Sequence, residues 1–165
     1  MRIVPILFLL ALASAEVTAQ TPQVERLDVV EHGLFTADVV RTEVGANGVP
    51  KQITNNSKLV KTTRDVPAKL GVRFGFRFTV TGEPKGEQVS LKKVTIYPRG
   101  GRRVPGTNET ITRSESTSTR VLGDPGLYTG YSFDDASELL PGTWTFELWH
   151  GDRKLTSQSF KVFKP

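Results

Sequence analysis

The chain has 165 residues, with 22 Lys and Arg against 17 Asp and Glu, a formal net charge of +5, and no cysteine. Without thiols there is no thiol catalysis, zinc–thiolate site, iron–sulfur cluster or disulfide framework, so the fold must rest on packing alone. The positive excess favours encounters with anionic surfaces, although a small excess is also ordinary solubility chemistry.

Met1-Arg2 is a short positive start, Ile3 to Ala13 is an almost unbroken apolar run, and Ala13-Ser14-Ala15 and Val17-Thr18-Ala19 are small-residue sites. This is the layout of a secretory signal peptide, with an apolar part too short to span a bilayer. We expect residues 1–19 to be a signal peptide. Cleavage after Ala19 is favoured over cleavage after Ala15, because Glu16 would otherwise begin a polar leader. Residues 20–165 then form a single domain with a self-sufficient core. The expected product is exported, periplasmic or secreted, with no transmembrane segment. Export also argues against nucleic acid as a partner.

Val24 to Val30 is apolar and β-branched, and Gly33 suggests a bulge or bend after Glu31-His32. Leu34 to Val44 is extended, with Phe35, Ala37 and Val39 expected on one face. Gly45 to Val49 is a turn, and Lys51 to Arg64 reads as a polar loop with one edge strand near Lys58 to Thr62. Lys69 to Val80 is the clearest strand: Val72, Phe74, Phe76, Phe78 and Val80 alternate with polar residues and demand a second sheet opposite. Gly75 on its other face points to close backbone or aromatic approach.

Thr81 to Glu87 turns. Val89 to Tyr97 is a strand, read with Val94 and Ile96 inward and Lys92 outward. Pro98 to Asn108 is a Gly/Pro/Arg loop, and Thr110 to Val121 is a Ser/Thr-rich edge strand or exposed arm. Tyr128 to Phe133 is a short aromatic strand, and Asp134 to Leu140 is one helical turn. Trp144, Phe146 and Leu148 then alternate with polar residues, Gly151-Asp152 suits a hairpin turn, and Phe160 and Val162 give the return strand an apolar face. Seven to eight strands without a long helical period predict an all-β, immunoglobulin-like β-sandwich.

Glu31-His32-Gly33-Leu34-Phe35, the Phe-rich middle strand, and Leu140-Pro141-Gly142-Thr143-Trp144 through Phe160-Lys161-Val162 together resemble the bacterial family known as domain of unknown function 3859. The resemblance covers most of the chain after the signal segment. It implies a bacterial envelope protein with an immunoglobulin-like sandwich, and it carries over no catalytic residues.

Candidate chemistry is sparse. His32 and His150 could join nearby carboxylates in a metal-dependent or hydrolytic site, but no local ligand spacing and no Gly-x-Ser-x-Gly elbow supports this. Asp135 with Glu138 three residues later reads as a capping box rather than as calcium ligands or an acid/base pair. No cofactor is expected. The basic group of Lys85, Lys92, Lys93, Arg99, Arg102 and Arg103 is the most distinctive feature. Arg99, Arg102 and Arg103 on one loop could make bidentate contacts to phosphate or carboxylate. Trp149 falls on the polar face with Thr145 and Glu147, where it could stack on a sugar or anchor a partner, or pack beneath Leu155 or against a neighbouring loop.

The leading expectation is a non-enzymatic binding or structural module of the bacterial envelope. It would contact another envelope protein through an edge strand, Thr112 to Thr119, or through the rim around Trp149. The alternative is a binder of anionic polymer, lipopolysaccharide or acidic glycan, through Arg99, Arg102 and Arg103 with Lys92 and Lys93. A hydrolase or metal-dependent enzyme is a remote third.

Overall fold

The alternation in the Phe-rich segment becomes a strand in which Phe74, Phe76, Phe78 and Val80 are at most 1% exposed. A computed structural model describes residues 21–44, 50–104 and 106–165. The expected signal segment 1–19 and the turn expected at Gly45 to Val49 lie outside the described residues.

Eleven strands are found among the described residues: β1 (Gln23–Val44), β2 (Pro50–Lys61), β3 (Asp65–Pro67), β4 (Arg73–Glu83), β5 (Gln88–Ile96), β6 (Arg102–Arg103), β7 (Thr110–Ile111), β8 (Arg113–Val121), β9 (Pro125–Ser132), β10 (Gly142–His150) and β11 (Arg153–Phe163). Eight of them are long, and β3, β6 and β7 are short additions of two or three residues. One sheet runs β2-β1-β4-β9 and the other β3-β11-β10-β5-β8, while β6 and β7 pair only with each other. The fold is the expected all-β sandwich.

The core forms where the two apolar faces meet. Phe74 of β4 lies 5.5–5.8 Å, centroid to centroid, from Trp144, Phe146 and Phe160 of the opposite sheet. Phe133 caps the same cluster at 5.2 Å from Phe74. Each such ring contributes roughly 1.5–3 kcal/mol by leaving water. Trp144 is fully buried, so its indole N–H needs a partner, and it donates to the Leu140 carbonyl at 2.9 Å. The β10–β11 hairpin closes as expected, His150 pairing with Arg153 across Gly151-Asp152.

A row of three glycines crosses the outer face of the first sheet, Gly33 beside Gly75 and Gly75 beside Gly130. A Cβ on Gly75 would sit 2.2 Å from the Thr129 carbonyl oxygen, and one on Gly130 would sit 2.2 Å from that of Phe74. Two rings close over this row, Phe35 of β1 and Tyr128 of β9, edge to face at 4.9 Å. Aromatic cover of strand glycines replaces the missing side-chain contacts. This is the approach that Gly75 suggested.

The structure corrects two expectations about individual strands. Lys51 to Arg64 is not mainly a loop: β2 runs along β1 for its whole length, interrupted by a bulge where Asn56 adopts φ 49°. Asparagine tolerates that left-handed conformation better than most residues. In β5, Val94 and Ile96 do not face inward, because Leu91 and Tyr97 occupy the core and fix the alternation. Val94 is nevertheless fully buried, on the outer face between Glu147 and Glu115 of the neighbouring strands.

Candidate functional site

The basic group expected to act together is split among four environments. Arg102 is buried, and its guanidinium donates to Glu138 at 3.0 Å. It is therefore not a free ligand-binding side chain on the loop. The sequence reading placed it outside because the loop is polar, but β6 carries it inward to the one acidic residue buried beside it. Arg99 and Arg103 remain exposed on either side.

Lys92 and Lys93 face opposite sides of their sheet, since neighbours on a strand must. Lys92 points outward, next to Glu115 at 3.7 Å. Lys93 points toward the other sheet, donates to the Gly130 carbonyl, and lies 5.2 Å from the Phe146 ring centroid.

Trp149 lies on the outer face as alternation predicts, half-buried rather than open. Its indole N–H donates to Glu147 at 3.0 Å, and the ammonium groups of Lys92 and Lys154 lie 5.7 and 5.2 Å from its ring centroid. Lys154 also donates to Glu147. Burial works against the Glu147 charge, but the bonds from Lys154 and Trp149 outweigh it and hold its carboxyl below the usual glutamate range. Trp149 does not pack beneath Leu155, which belongs to the core side.

The remaining feature is a cleft of about 430 Å³ where the two sheets end on the same side of the sandwich. β8 closes one sheet and β9 the other. The inner face of β8 is Ser114, Ser116, Ser118 and Arg120, opposite Thr95, Lys93, Leu91 and Val89 of β5. Small hydroxyl residues cannot continue the aromatic core, so the space between the sheets stays open there. Arg73, Lys93 and Arg120 line it with Asn55, Ser57, Ser116, Ser118 and Thr129, and no carboxylate is among the described lining residues. The β2 bulge reaches this cleft, with Asn55, Asn56 and Ser57 in its lining, and the Ser57 carbonyl accepts from Arg77 on the outer face of β4.

The family model for a domain of unknown function, DUF3859, matches residues 23–162. The chain belongs to this family. Among solved structures it is similar to an immunoglobulin-like protein from Pseudomonas aeruginosa, with 26% identity, a TM-score of 0.60, and coverage of 84% of this chain and 98% of that one. No curated protein matches it.

The other sequence candidates in this DUF3859 domain serve the fold. Asp135 and Glu138 form the expected capping box on a 3-10 turn at Ala136–Glu138. His150 contacts the Ser90 carbonyl, whereas His32 sits in the middle of β1 opposite Phe76. Burial and then the Arg64 charge lower the His32 pKa. Among the described residues no group of three or more His, Cys, Asp or Glu is arranged to hold a metal. No described helix is long and apolar enough to cross a membrane. Sequence reasoning missed the cleft and the central place of Glu138. The serine alternation in β8 was the available signal for the cleft.

Proposed function

We propose that this DUF3859 domain is an exported, non-enzymatic binding module that holds an extended segment of another envelope protein along β8. The observation supporting this reading is the position of β8. It ends its sheet, so one side of its backbone has no neighbouring strand among the described residues. Unpaired N–H and C=O groups on such an edge form a template for an added strand. The capture of anionic polymer by the Arg99–Arg103 loop is the weaker reading, since Arg102 is engaged by Glu138 and only two exposed guanidinium groups remain.

A photo-crosslinking residue at Thr117 or Thr119, both exposed on the outer face of β8, should trap one recurring protein in the native cells. The same probe at exposed Lys69, beyond β3 at the far end of the sheet, should not trap it. Adducts from Lys69 with none from β8 would refute the reading. Export predicts recovery in the soluble envelope or extracellular fraction, with Gln20 as the first residue by mass spectrometry.

A further inference from the structure

We infer that the segment captured at β8 is acidic, with alternate carboxylates entering the cleft between β8 and β9. This inference rests on the strand-addition reading above and adds the chemistry of the partner. A strand laid beside β8 would place every second side chain on the same face as Ser116, Ser118 and Arg120. That face opens on the cleft lined by Arg73, Lys93 and Arg120. Three cations line it with hydroxyl and amide groups, and no carboxylate is among its described lining residues. The carboxylates nearby already have partners: Asp38 accepts from Asn56, which itself lines the cleft, Glu115 from Arg113, and Glu31 from Arg77.

The polar lining favours a charged occupant over an apolar one. A carboxylate would meet guanidinium groups that can bind it in fork geometry, in a recess less screened than open surface. Ser116, Ser118 and Thr129 can donate to its remaining lone pairs. The open backbone edge alongside argues for an extended peptide, because a glycan would use the cations but not the strand edge. Arg99, Arg103 and Lys92 take no part, since none of them lines the cleft.

The test uses the exported chain and peptides of about seven residues, long enough for one strand. One peptide alternates threonine with aspartate and its control alternates threonine with asparagine, with binding read by fluorescence anisotropy. The aspartate peptide should bind at least about tenfold more tightly than the asparagine one, and added salt should narrow the gap. Arg120→Gln and Arg73→Gln should each weaken the aspartate peptide several-fold, while Arg103→Gln should not. Proline at Ser116 or at Thr117 should abolish binding at whichever position has its N–H facing the open edge, with thermal melting confirming the fold.

Equal binding of both peptides, lost on the proline substitution, would overturn the acidic preference and leave strand addition standing. A sulfated oligosaccharide that binds through Arg73 and Arg120 while neither peptide binds would overturn the inference in favour of a glycan. Absence of binding by any of these probes would also overturn it.

Discussion

Arg102 donates to Glu138 at 3.0 Å while their side chains are only 9% and 6% exposed. Tyr131 donates to the same carboxylate oxygen at 2.7 Å, and the backbone N–H groups of Asp134 and Asp135 occupy the other. Burial, reinforced by Glu138, raises the Tyr131 pKa well above its ordinary value, so its hydroxyl stays protonated and remains a donor. One carboxylate thus ties the Arg-rich loop, the end of β9 and the 3-10 turn together. Removing one partner of such a pair strands the other charge in a dry site, which costs about 3–5 kcal/mol. Arg102→Met should therefore lower the urea midpoint sharply. Arg99→Ala and Arg103→Ala should stay within about 0.5 kcal/mol of the parent.

The glycine row supports a second prediction. A methyl group on Gly75 would meet the Thr129 carbonyl oxygen at 2.2 Å and the Gly130 Cα at 2.5 Å, and backbone cannot move aside as a flexible side chain can. Gly75→Ala should cost about 3 kcal/mol or more through overpacking and loss of β4–β9 pairing. Gly86→Ala provides the contrast. Beyond its own chain neighbours no atom lies within 4 Å of the new Cβ, so only the strain of φ 82° remains. Chemical denaturation of both variants measures the difference.

Glu147 supports an acid-side prediction. Although burial opposes its charge, the bonds from Lys154 and Trp149 lower its pKa from the ordinary 4.5. A depressed carboxylate contributes stability that is fully present above its unfolded value and is lost as pH falls through the folded one. The stability gap between the parent and Glu147→Gln should therefore be level above pH 4.5 and shrink in more acidic solution. A gap that widened on acidification would contradict the assignment.

His32 titrates in a different window. Burial, followed by the Arg64 charge, lowers its pKa from 6.5, so the folded state resists protonation. The unfolded chain takes up the proton first, and stability falls as pH drops from 6.5 toward the folded value. His32→Gln should remove this slope. Parallel unfolding curves at stepped pH give the comparison.

The regular parts of the fold were legible because they depend on near neighbours. Phe74, Phe76, Phe78 and Val80 announced their strand by alternation, and Trp144, Phe146 and Leu148 announced theirs. Asp135 and Glu138 showed a cap by their spacing, and Thr112 to Thr119 showed an edge by its lack of apolar residues. The basic group was misread because closeness in sequence was taken as closeness in space. Lys92 and Lys93 are adjacent in the chain, yet one meets Trp149 and the other meets Gly130 on the opposite face.

The sequence by itself determined the strand periods, the terminal hairpin, the thiol-free core and the resemblance to DUF3859, all of which are carried by residue type and short spacing. Only the tertiary structure decided that Arg102 is buried against Glu138, that two aromatic rings cover the glycine row, and that β8 and β9 end on the same side around a cationic cleft. These outcomes depend on sheet order and on pairings between residues tens of positions apart. No local propensity encodes such pairings, because they gain their energy only when the whole sandwich closes.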